Sequence, residues 1–164
     1  MTRTAATGYD GMSSRHVPEA ELRAFLRDCF ELGDEELFVG HADRVTEALA
    51  TAPADARFAA FCTYGEVSGH FAMHFSVGIE GHLVDRVGRR EFAVRLAARF
   101  AAYVLFGETE PPGLWTLILP DGSHLLATMD ADDDRYLLET VTAPVPGLPR
   151  VRVDDSLWQV RDRH

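Results

Sequence analysis

The sequence predicts an α+β fold, a mainly antiparallel sheet with two to three helices packed on one face. Three observations carry this. Apolar residues recur at helical spacing near 18–30 and 89–101. From Arg57 onward the period changes to two. The regular strand–helix–strand alternation of a doubly wound parallel sheet is missing.

Taken in order, residues 1–15 read as a disordered tail, because Arg3 and the small polar residues after it carry no apolar stretch of the kind that leads a secreted chain. One domain then spans 16–164, with an extended proline-rich segment from about residue 143. A helix starts at Pro18, a residue suited to the first helical position, with Glu19 and Glu21 near the positive end of the helix dipole. Leu22, Phe25, Leu26, Cys29 and Phe30 form its buried stripe, and Gly33 is expected as its C-cap. A shorter helix is expected from Ala42 to Ala50, with Val45, Ala48 and Leu49 inward.

Phe58 to Tyr64 reads as a buried strand. A second strand pairs with it as an antiparallel hairpin, placing His70, Ala72, His74 and Ser76 on one face and Phe71, Met73, Phe75 and Val77 on the other. Ile79 to Val87 adds a short strand, and Arg89 to about Ala101 a helix with Phe92, Leu96 and Phe100 inward. After a strand at Tyr103–Phe106, Leu114–Leu119 and His124–Met129 flank Pro120-Asp121-Gly122-Ser123, where proline and glycine suit a bulged hairpin. Trp115 alternates with Leu117 and Leu119 and is expected to face the core. Tyr136 to Thr142 forms the last strand, and Leu157 and Trp158 dock back onto the body.

At 164 residues, with 46% hydrophobic and 26% charged residues, the chain is long and apolar enough to bury a core. No run approaches the roughly 18 apolar residues of a membrane span, so a cytoplasmic location is expected. Lysine and asparagine are absent, all 16 basic residues are arginine, and Ile79 and Ile118 are the only isoleucines, a bias expected of a high-GC bacterium. Without lysine there is no P-loop, no Schiff base to pyridoxal phosphate and no lipoyl attachment. A kinase catalytic loop would need the missing asparagine. Cys29 and Cys62, each among apolar neighbours, read as buried reduced thiols.

Motif matches fail for physical reasons. His70 and His74 would share a metal on a helix, but on a strand residues four apart lie roughly 13 Å from one another. In Gly65-Glu66-Val67-Ser68-Gly69 the serine stands one place late for a nucleophile elbow. Gly78-Ile79-Glu80-Gly81 has the glycine spacing of a nucleic-acid clamp, yet Glu80 would repel phosphate. Asp130–Asp134 lacks the glycine and glutamate of a calcium loop, since Arg135 and Val141 stand at those places. No catalytic residue, metal or cofactor is therefore assigned.

Charge is the informative feature. The formal net charge is −10, and between Glu108 and Glu139 eight acids face the single base Arg135. That balance disfavours nucleic acid and suits a basic protein partner. Glu108, Glu110, Asp130, Asp132, Asp133 and Asp134 are the expected partner-binding residues. An alternative ligand face, with acid–base potential, is expected at His70, His74 and His82, with Glu66 beside them.

From Phe92 to Asp134 the chain carries a Phe-Ala-Val-Arg-Leu-Ala-Ala-Arg-Phe helix, an apolar strand, a loop, a Trp-Thr-Leu-Ile-Leu strand, a Pro-Asp-Gly-Ser turn, a further strand and an acidic stretch. This order, covering about a quarter of the chain, resembles small acidic actinobacterial proteins of the immunity type in polymorphic toxin systems. The resemblance implies a non-catalytic protein that binds and blocks a cognate toxin, and the acidic charge makes a basic partner the expectation. It transfers no functional residue, because that group shares no interface motif.

Overall fold

The computed structural model describes residues 7–107 and 113–163. Its first element is a strand, β1 (Thr7–Ser13), followed by α1 (Glu19–Phe30), β2 (Leu37–His41) and α2 (Val45–Ala50). Then come β3 (Ala60–Glu66), β4 (Ser68–Gly69), β5 (Met73–Ile79), α3 (Gly81–Val84) and α4 (Arg89–Phe100). The chain continues through β6 (Val104–Gly107), β7 (Trp115–Ile118), β8 (His124–Asp132), β9 (Arg135–Val141), β10 (Arg152–Val153) and α5 (Leu157–Asp162). The strands run in the order β10-β9-β8-β7-β6-β1-β5-β3-β2, with β4 also on β9. Among the described residues only the β2–β3, β4–β9 and β9–β10 pairs are parallel, so the α+β expectation holds. No helix among the described residues is long and apolar enough to cross a membrane.

The sheet buries a core on each face, and its central strands β1, β6 and β7 contribute to both. On one face α1 and α4 cover Tyr9, Val39, Cys62, Phe75, Val77 and Phe106. Phe92 of α4 is the hub, its ring 5.6 Å from those of Tyr9 and Phe25, 5.9 Å from Phe30 and 6.1 Å from Phe75. On the other face Met12, Leu105, Leu117, Leu125, Leu138 and Val141 gather under Phe71, Val145 and Val151. The cover there is irregular chain from the proline-rich segment, fastened by the Tyr103 hydroxyl donating to the Pro146 carbonyl. Both cysteines are buried thiols; burial raises the pKa of each, that of Cys62 to about 12.

Several expectations are corrected. Residues 7–13 are a central strand between β5 and β6, where the sequence reads as a tail. Cross-strand pairing with two neighbours holds this glycine-rich segment, and it demands glycine at position 11, where a Cβ would collide with the Leu105 carbonyl and the Phe75 ring. Left-handed backbone ends α1 at Glu31 (φ 54°), not at Gly33 (φ −80°). The helix expected over 42–50 starts as a 3₁₀ turn, and Leu49 remains 39% exposed. The strand expected over 79–87 ends at Ile79 and becomes α3, because Leu83 and Val87, one helical turn apart, both reach the core. The second strand of the hairpin begins at Met73, so His70 and Ala72 are not in it, and Phe71 enters the core opposite to the one Met73 enters.

Candidate functional site

The acidic stretch lies on a hairpin that outruns its neighbour. Strand β7 pairs with β8 only from His124 to Ala127, so residues beyond Ala127 continue without it. Between Thr128 and Met129 the β8–β9 register shifts, which leaves Glu139 as the extra residue of a bulge. Such bulges bend and twist a hairpin. The distal part reaches β4, where Ser68 N–H donates to the Asp134 carbonyl and His70 N–H to the Tyr136 carbonyl, both at 2.8 Å. Asp133 turns the tip with φ 52°, a left-handed geometry that aspartate tolerates better than most residues.

Asp130, Asp132, Asp133 and Asp134 are all exposed at this tip. Among the described residues none of the four makes a salt bridge, and Arg135 stands across the ladder from Asp132. The other two predicted acids, Glu108 and Glu110, lie outside the described residues.

Beside the hairpin lies an open groove of about 690 Å³. One side is formed by β5, β1, β6 and the start of β7, through His74, Ser76, Gly8, Asp10, Met12, Gly107 and Trp115. Val67, Asp134 and Tyr136 line it from the β4–β9 side. Two cross-strand pairs set its shape: His74 lies opposite Gly65, and Trp115 opposite Gly107. A Cβ at Gly65 would collide with the His74 imidazole, and one at Gly107 would sit 3.3 Å from the Trp115 ring. Glycine therefore lets both rings lie against the sheet. Asp10 is directly across from Ser76, whose hydroxyl donates to Asp10 Oδ1 at 2.7 Å. At one end Arg89 donates to the Gly8 carbonyl at 3.1 Å and lies over the Tyr9 ring.

The three histidines expected on one face are dispersed. His74 lines the groove. His70 instead supports the sheet edge, where its Nδ1 accepts the Leu138 N–H at 2.9 Å and so extends the pairing of β9 beyond β4. Burial, with a contribution from Arg135, lowers its pKa below the ordinary 6.5. His82 sits on α3 beside Glu80 at 3.3 Å. Glu66 pairs instead with His41, at 2.6 Å, and the hydrogen bond from that imidazole lowers the Glu66 pKa. Because Asp43 N–H donates to His41 Nδ1, the neutral ring carries its proton on Nε2 and donates to Glu66. Tyr64, edge-on to His41, donates to Glu19, and burial helped by that bond raises its pKa to about 12. Among the described residues no group of three or more His, Cys, Asp or Glu side chains could hold a metal ion.

Trp115 also departs from expectation. It shares a face with Leu117, as the alternation predicts, but at the rim, where the core gives way to the groove. Asp10 and Tyr136 had no signal in the sequence, since one lies in the segment that reads as a tail and the other reaches the groove on a strand that pairs with the distant β4. No protein-family model, curated protein or solved structure matches the chain.

Proposed function

We propose that this protein is a non-catalytic protein-binding domain of the inhibitor or immunity type, which blocks a basic partner through an acidic surface centred on the β8–β9 tip. One observation carries the reading: four aspartates stand exposed, without salt bridges among the described residues, at a tip that backbone pairing to β4 holds in place. A preformed anionic surface costs little ordering on association and steers an oppositely charged partner towards itself.

The test replaces Asp130, Asp132, Asp133 and Asp134 together with asparagine, which keeps their shape and tolerance of left-handed backbone. Tagged wild type should retain a basic protein from lysate of its source cells at low salt and release it at high salt, and the variant should retain none. Equal affinity of wild type and variant for the captured partner would refute the assignment. A second reading, small-molecule binding, draws on the concavity beside His74 and Ser76. Saturable stabilisation of both proteins by a metabolite, with no protein captured by either, would favour it.

A further inference from the structure

We infer that the groove beside the acidic hairpin receives an arginine side chain of the partner; this rests on the protein-binding reading and names the chemistry it would recognise. Carboxylates flank the groove on both sides, Asp10 from β1 and Asp134 from the hairpin tip. Ser76 holds one oxygen of Asp10, which limits rotation of the carboxylate and leaves its second oxygen without a hydrogen-bond partner among the described residues. Trp115 and Tyr136, both half-buried, add aromatic surface from opposite sides.

A guanidinium matches this set in two ways: its planar fork pairs with a carboxylate, and its face stacks on aromatic rings. A lysine ammonium is more strongly hydrated and offers no plane to stack. An anion is disfavoured, because Asp10 and Asp134 line the groove and outnumber the single arginine among its described lining residues. The one arginine lining it among the described residues, Arg89, already donates to the Gly8 carbonyl. The volume of about 690 Å³ accommodates one long side chain with its adjoining backbone.

Nα-acetyl-arginine amide, titrated into ¹⁵N-labelled protein, tests this directly. The Trp115 indole and Gly107 amide signals should shift saturably. The citrulline analogue, neutral and of the same shape, should leave them in place, and the lysine analogue should bind more weakly than arginine. Asp10→Asn should weaken arginine binding roughly tenfold or more. Ser76→Ala, which frees the Asp10 carboxylate to rotate, should weaken it less. Absence of a saturable shift, or an equal shift with citrulline, would overturn the inference. If arginine leaves the groove signals unmoved while the four-asparagine variant still loses its partner, the groove assignment fails and the hairpin reading stands. If arginine binds in the groove and the variant keeps its partner, the hairpin reading fails instead.

Discussion

The two halves of the sheet solve the same problem differently. In the half made of β2, β3, β5 and β1, two amphipathic helices supply a ready-made apolar cover, and four aromatic rings pack around Phe92. From β6 to β9 a second core forms on the opposite face, where the cover is irregular chain carrying Val145 and Val151, while β6 and β7 also give Val104, Phe106 and Ile118 to the helix-covered face. The candidate site lies beside this second core, where Trp115 and Tyr136 pack against its edge and also line the groove. The helices cover their face with two long amphipathic surfaces, whereas the strap of chain leaves a rim at Trp115 and Tyr136. In this molecule the half covered by irregular chain carries the aspartate tip without salt bridges among the described residues.

The largest effect should come from the first half. Phe92→Ala removes the hub of the aromatic cluster and should cost about 3–5 kcal/mol in urea unfolding. The same experiment on Val151→Ala, which trims the strap over the second core, should show about 1.5 kcal/mol. Amide exchange should sharpen the contrast: Val151→Ala should speed exchange in β9 and β10 and leave α1 and α4 protected. Equal costs for the two variants, or uniform loss of protection in the second, would erase the distinction.

A smaller effect depends on pH. The second half relies on a neutral His70 to accept the Leu138 N–H, and protonation removes that acceptor. Because burial lowers the His70 pKa in the folded state, the unfolded chain takes up the proton first as pH falls. The stability this residue contributes is therefore full above its ordinary 6.5 and declines as pH drops through and below that value. Across about pH 5 to 8, Tm of the wild type should fall towards the acid end more steeply than Tm of His70→Gln, whose amide oxygen can still accept. Parallel curves would show that His70 does not act in this way.

The helical half was legible because its signals are local and periodic. Leu22, Phe25, Leu26, Cys29 and Phe30 repeat along one stripe of α1, and Phe92 and Leu96 do so along α4. The turn at Asp121–Ser123 was equally plain, with Gly122 at φ +88° and Asp121 accepting from the Ser123 N–H at 2.9 Å. Strand β1 was not, because it offers only Tyr9 and Met12 among small and polar residues, and those two point into different cores. Its strand character comes from β5 and β6, which lie more than 50 residues away in the chain.

The acidic run at 130–134 could be read directly, since charge density is a property of neighbouring residues. Its setting could not. The placing of the four aspartates depends on a one-residue bulge at Glu139 and on pairing between β4 and β9, segments more than 60 residues apart. The histidines illustrate the same limit, because one break at 70–72 sends His70 to an edge and leaves His74 alone in the groove. Composition, periodicity and turn chemistry act over a few residues and suffice for the fold class, two main helices and the charged stretch. Which side chains share a groove depends on register and on how far the sheet bends, and these arise only when distant strands meet.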